Sequence, residues 1–150
     1  VESVDRRMLD DHHRKPPTAA HVEEVVRQAD RLGIRVIANF MLGLPGDRED
    51  TFRATVDWAK RLNAFAVQFT VATPYPGTSL EPVAADRLLR RDPGALTGFT
   101  PTFRHPTLPP ERIEALREWA YVSYFYRPAY LRRFAGAAVR SLLDARASVC

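Results

Sequence analysis

Two apolar runs constrain this chain more than any other feature. They are Ile34–Leu42 (IRVIANFML) and Phe65–Ala72 (FAVQFTVA). A nearly continuous apolar run with β-branched residues reads as a strand buried on both faces, the kind found in parallel sheets. The first run ends in Gly43-Leu44-Pro45-Gly46-Asp47, the second in Thr73-Pro74-Tyr75-Pro76-Gly77-Thr78. A helical pattern precedes the first run. Val22, Val25, Val26, Ala29 and Leu32 fall on one face, with Thr18 as N-cap and Gly33 as C-cap. A second helix lies between the runs. Asp47 or Asp50 stands near its start, and Phe52, Val56, Ala59 and Leu62 point inward. Helix, strand, helix, strand with short loops is the signature of βα units and a parallel sheet. Val1-Glu2-Ser3 reads as the stub of a preceding strand. Two strands and a stub are too few for an open sheet or a closed barrel, so the chain is expected to be a piece of something longer.

Eight of the 12 prolines lie between Pro74 and Pro110, which predicts mostly irregular chain with one short helix around Val83–Arg91. Pro109–Tyr126 is then helical, with Ile113, Leu116, Val122 and Phe125 on one side, and Arg127-Pro128 breaks it. A last helix, Ala129–Arg146, places Leu131, Phe134, Ala135, Ala138 and Leu142 on one face, with Arg133 and Arg140 opposite.

Composition excludes several classes. With 150 residues and 45% hydrophobic content, the chain is long enough to bury a core. It contains no apolar run long enough to span a bilayer. The single cysteine, Cys150, rules out a disulfide scaffold and any multi-cysteine metal site built by this chain alone. Residues 127–150 carry five Arg and one Asp, so the whole net charge of +4 sits there, and a chain-wide nucleic-acid footprint is not supported.

Ligands of parallel α/β folds bind at the carboxyl ends of the strands. Three segments end there: Glu2-Ser3, the Asn39–Asp47 stretch and Ala72–Thr78. Asn39 is an amide inside an apolar strand. Burying it unpaired would cost about 1–3 kcal/mol, so it bonds either a ligand or a neighbouring strand or loop. Gln68 and Thr70 raise the same question and could face a polar barrel interior. In GLPGD, Gly43 would let backbone approach a ligand, Gly46 permits positive φ, and Asp47 would cap a helix; a plain tight loop explains the pattern equally. TPYPGT would make a rigid strand exit presenting Tyr75. His12 and His13 are adjacent, point about 100° apart on a helix, and make a poor chelating pair. Walker, GxGxxG, HEXXH and nucleophile-elbow motifs are absent.

Taken together and in order, VES, IRVIANFMLGLPGD and FAVQFTVATPYPGTSL resemble the radical S-adenosylmethionine (SAM) superfamily. The likeness is greatest to members that pair a cobalamin-binding domain with the radical SAM barrel. TLPPERIEALREWAYVSYFYRP and AYLRRF resemble that group's C-terminal extension. The resemblance implies an α/β fold, the C-terminal part of a partial (β/α)6, TIM-like barrel over residues 1–107, with the end of strand 4 and strands 5 and 6. A helical extension follows over 108–150. Such enzymes cleave SAM reductively at a [4Fe–4S] cluster held by a CxxxCxxC loop, and cobalamin-dependent members often methylate carbon. The cluster loop and the cobalamin domain are not in this chain, so the fragment alone is expected to be inactive.

By the same resemblance, Glu2, with Ser3 beside it, reaches the SAM ribose or methionine moiety, and Asn39 contacts the ribose. Met41 and Gly43 belong to the motif that packs on adenine. Val71, Ala72 and Thr73 meet the adenine edge, and Tyr75 lies near the substrate. Val4 stands where the family has glycine, and Asp47 where it usually has Glu. The implied setting is cytoplasmic, with a flavodoxin or ferredoxin as reductant. The implied substrate is a small molecule, lipids and tetrapyrrole-like compounds among the candidates, and not nucleic acid. Ring closure or sulfur insertion is the alternative chemistry. A non-catalytic module on a membrane surface is the alternative from another class, weighed below packing of the last helix against the barrel.

Overall fold

The computed structural model describes residues 17–90 and 92–136. Glu2, Ser3, His12, His13, Cys150 and the later part of the last helix lie outside the described residues.

Helix α1 (Ala19–Arg31) starts where Thr18 Oγ1 accepts the His21 N–H at 3.3 Å. It ends in a paired closure. Gly33, at φ +76°, donates to Asp30 O, and Ile34 donates to Ala29 O at 2.8 Å. A residue with a β-carbon resists that φ, which is why glycine ends this helix. The apolar stripe is narrower than its spacing predicts: Val26 is buried and Val22 packs on the core, but Val25 and Leu32 are exposed.

Strands β1 (Ile37–Leu42) and β2 (Ala66–Val71) pair in parallel, Ile37 opposite Ala66 through Leu42 opposite Val71. Helix α2 (Glu49–Leu62) joins them and buries Phe52, Val56, Ala59 and Leu62 as predicted, together with Trp58. Its end is closed by Asn63 at φ +49°, a left-handed position asparagine tolerates.

The expectation that both strands are buried on both faces is corrected. Ala38, Phe40 and Leu42, with Val67, Phe69 and Val71, face the core, whereas Ile37 and Asn39 are exposed and Met41, Gln68 and Thr70 are half-buried. The physical reason is coverage. Helices α1, α2 and α4 pack on one side of the sheet, and among the described residues the other side is covered only in part, where Met41 and Thr70 meet the segments after β2.

After β2 come the short helix α3 (Leu80–Ala84) and a 3₁₀ turn at Ala85–Arg87, earlier than the predicted Val83–Arg91. Helix α4 (Pro110–Phe125) buries Ile113, Leu116, Ala120 and Tyr124. Val122, expected inside, faces out, because Ala120 and Tyr124 carry the seam around it. Aromatic rings bind these layers. Phe40 meets Trp58 edge-on at 5.8 Å, and Phe69 meets Tyr121 edge-on at 5.3 Å. Such pairs add about 0.5–1.5 kcal/mol each beyond burial.

The outer edge of β2 is sealed by α4 and a loop. Phe69 N–H donates to Tyr121 Oη at 3.0 Å, Arg117 Nε donates to Phe69 O at 3.0 Å, and Val71 N–H donates to Gly98 O at 2.7 Å. Backbone groups that would otherwise seek a further strand are therefore satisfied on this side.

Residues 128–136 form a further helical segment, α5. Its orientation differs from expectation: Tyr130 and Arg133 turn inward, and Leu131 and Phe134 turn outward. Tyr130 Oη donates to Phe65 O at 3.1 Å, and Arg133 bonds Asn63 O and Asp30. Those bonds to the α2–β2 turn and to the end of α1 fix the rotation of α5.

Candidate functional site

The carboxyl ends of β1 and β2 lie side by side, so the loops leaving them share one end of the sheet. The β1 loop is the GLPGD segment. Gly43 (φ +78°) and Gly46 (φ +115°) supply its two left-handed turns. A β-carbon on Gly43 would lie 3.7 Å from Ile113 and 3.8 Å from Val71, an ordinary contact on the core side. Glycine is needed here for its φ.

Asp47 is not the helix cap. Arg48 occupies the N-cap position, and its N–H donates to Thr51 Oγ1 at 2.9 Å. Asp47 holds the loop instead. Its carboxylate, 2% exposed, accepts Gly43 N–H at 2.8 Å and Thr51 Oγ1–H at 2.8 Å. Burial pushes the Asp47 carboxyl above its ordinary range, against the opposing pull of these two bonds. From the far side, His105 Nε2 donates to Leu44 O at 2.8 Å, and Thr107 Oγ1 donates to Asp47 O at 3.0 Å. His105 Nδ1 accepts from Thr107 N and Leu108 N, at 3.2 and 3.1 Å, which sets the tautomer. The loop is thus gripped by one residue of its own and by a segment about sixty positions later.

Behind it lies a second apolar cluster of Leu44, Ala72, Leu80, Ala84 and Phe103, with Met41 and Leu88 against it. In front lies a pocket of about 190 Å³. β1 and its loop contribute Met41 and Leu44, the end of β2 contributes Thr70, Val71 and Thr73, the segment after it contributes Tyr75, Thr78, Ser79 and Leu80, and the later connection contributes Thr97 and Gly98. Among the described residues, no charged side chain lines it. Thr70 Oγ1 donates to Phe40 O, Thr73 Oγ1 to Val71 O and Thr78 Oγ1 to Tyr75 O. Each hydroxyl hydrogen is committed, leaving its oxygen free to accept. Such a lining offers apolar contact and hydrogen-bond acceptors and no charge among the described residues.

Four predicted residues therefore meet in one place: Met41, Val71, Thr73 and Tyr75. Ala72 lies in the adjoining apolar cluster, and Gly43 faces Ile113 and Val71 on the core side. Asn39 stands apart. It is exposed, opposite Gln68 in the register, and lines a separate groove of about 380 Å³ with His21, Val36 and Ile37. The cost of burying it therefore does not arise among the described residues. Glu2 and Ser3 lie outside them. Sequence reading missed Thr97, Gly98 and His105. They sit in the proline-rich connection, where composition signals only irregular chain and no periodicity shows which side chain turns back to the strands.

No protein-family model matches the chain. The chain is similar to an uncharacterized methyltransferase of Pyrococcus horikoshii, with 32% identity over 133 residues, 87% of this chain and 29% of that protein. The chain thus spans less than a third of the relative's length. The likeness is to a methyltransferase, and it runs through both strands and the pocket they form.

Proposed function

We propose that this chain supplies the adenine-binding wall of a SAM site within a longer radical SAM methyltransferase. The observation that carries the reading is the convergence of Met41, Val71, Thr73 and Tyr75 on one uncharged pocket at the carboxyl ends of two parallel strands. The similarity to a named methyltransferase supports methyl transfer as the chemistry.

The pocket fits part of SAM and not all of it. A dry cavity of about 150 Å³ accepts benzene, so about 190 Å³ suits one flat ring system. Met41 would pack on one face of the ring, and the Thr70 and Thr73 oxygens would accept from its amino group. Asn39 would reach the ribose from the open face of the sheet, which it shares with Met41. When bound, SAM with a reduced iron–sulfur cluster supplies hydrogen abstraction, and cobalamin supplies methyl transfer to carbon. The residues described here do not fit a cluster. Among them no group of three or more His, Cys, Asp or Glu could hold a metal, and the chain has one cysteine. The cluster, the cobalamin and the reductase contact are assigned to the rest of the longer protein.

Calorimetric titration of the chain with S-adenosylhomocysteine, 5′-deoxyadenosine and methionine tests this. The adenine-bearing ligands should bind and methionine should not. Met41→Asp, which puts a charge into an uncharged pocket, should weaken binding about tenfold or more. Equal binding of methionine and deoxyadenosine, or indifference to Met41→Asp, would overturn the reading.

A further inference from the structure

His105 lies in the connection that leads into α4, about sixty positions after the loop it touches, and is 8% exposed. Both ring nitrogens are engaged. Nε2 lies 2.8 Å from Leu44 O, and a carbonyl oxygen only accepts, so Nε2 carries a hydrogen. Nδ1 receives two backbone donors, Thr107 N–H at 3.2 Å and Leu108 N–H at 3.1 Å, so Nδ1 carries none. The pattern specifies a neutral imidazole in its Nε2–H form. The imidazolium has a hydrogen on Nδ1 as well, and here that hydrogen would point at two N–H groups. The Thr107 hydroxyl, 3.3 Å from Nδ1, could accept it, but Thr107 N–H and Leu108 N–H would still lose their acceptor.

The same turn secures the β1 loop twice. His105 holds Leu44 O, and Thr107 Oγ1 holds Asp47 O at 3.0 Å. A proton on Nδ1 sets these two attachments against each other. If the turn swings away from the ring, Thr107 leaves Asp47 O. If the ring swings away from the turn, Leu44 O loses its donor. Either movement frees one attachment of the loop that carries Leu44 to the pocket. The titratable group facing the ring is the Asp47 carboxylate, from the β1 loop. Leu44, Thr107, Leu108 and Phe103, whose ring centroid lies 6.5 Å away, bring no charge. Arg48 and Arg104, the charged residues next in sequence to these contacts, are exposed.

We propose that His105 is a positioning residue for the pocket: its neutral form holds the loop that carries Leu44, and a proton on Nδ1 releases that loop and weakens ligand binding. The effect on binding rests on the reading of the pocket as an adenine site; the effect on the loop does not.

Nuclear magnetic resonance of the isotope-labelled chain tests the loop, over a titration from about pH 8 to about pH 5. His105 should begin as the Nε2–H tautomer. The amides of Leu44, Thr107 and Leu108, and of the pocket residues Met41 and Thr73, should shift with the midpoint of the His105 ring. Calorimetry with 5′-deoxyadenosine tests binding, which should weaken about fivefold or more as that ring gains its proton. His105→Gln keeps a side-chain donor and acceptor and does not titrate, so its affinity should stay level over the same range. Asp47→Asn, which removes the other titrating group, should keep the pH dependence. An Nδ1–H tautomer, pocket amides that ignore the His105 midpoint, or a wild-type pH profile in His105→Gln would each overturn the proposal. So would a profile lost in Asp47→Asn, since Asp47 would then be the group responsible. If deoxyadenosine binds at no pH, the adenine-site reading fails, and the amide midpoints of the wild type still decide this inference.

Discussion

Removing the Asp47 carboxylate tests how the β1 loop is held. In Asp47→Ala two donors lose their acceptor, Gly43 N–H and Thr51 Oγ1–H. Thr51 has a second acceptor in place, because its hydroxyl also lies 2.8 Å from Arg48 O. It can redirect its hydrogen at little cost. Gly43 N–H has no such recourse at a site where Asp47 is 2% exposed, and one orphaned buried donor costs about 1–3 kcal/mol. The void left by the carboxyl adds to this, so the expected loss is about 2–3 kcal/mol. Asp47→Asn behaves differently. Its Oδ1 can accept from Gly43 while Nδ2 donates to Thr51 Oγ1, and the expected loss is about 1 kcal/mol or less. Urea unfolding at neutral pH measures both, with unchanged m-values as the sign that native compactness is kept. The pH dependence supplies a second reading. Burial raises the Asp47 pKa above its unfolded value of 3.8. The native state then holds the proton more tightly. That stability is fully present below 3.8 and is lost as pH rises through the raised native value. Measured against Asp47→Asn, the wild type should lose stability from acid toward neutral pH. If Asp47→Ala unfolds within about 0.5 kcal/mol of wild type, or as easily as Asp47→Asn, the loop is not held this way.

Two further perturbations check the core and the surface. Phe40 is fully buried between Trp58 and Phe69, so Phe40→Ala should cost about 3–5 kcal/mol in thermal or urea unfolding. Glu49 is gripped by Arg112 and Arg53, and its pKa lies at about 2, below the ordinary 4.5. Its contribution to stability is present above 4.5 and lost as pH falls through about 2. A carboxyl NMR titration should show a midpoint at about 2, rising in Arg112→Ala and with added salt.

Sequence periodicity carried the element order, because each element buries a face whose spacing shows in one dimension. Phe52, Val56, Ala59 and Leu62 repeat at helical spacing, and α2 buries all of them. Periodicity could not tell which face of a strand is covered, since IRVIANFML is apolar at nearly every position and only the packed helices decide. The same limit applies to α5. Leu131 and Phe134 form a visible stripe, but hydrogen bonds from Tyr130 and Arg133 to the α2–β2 turn set its direction, and those pairings span about seventy positions. The site divides in a similar way. Met41, Thr73 and Tyr75 were legible because parallel strands place their carboxyl ends together, and Val71 through the family resemblance. His105 and Gly98 were not, because they reach the site from a connection without periodicity.

The central claim is that an adenine ring occupies the pocket between the strand ends. Amide chemical-shift mapping of the isotope-labelled chain, titrated with S-adenosylhomocysteine, tests it most directly. The account predicts the largest changes at Met41, Leu44, Thr70, Val71, Thr73 and Gly98, with smaller ones at Asn39. Changes centred instead on the groove of His21, Val36 and Ile37, or no saturable change at all, would contradict it.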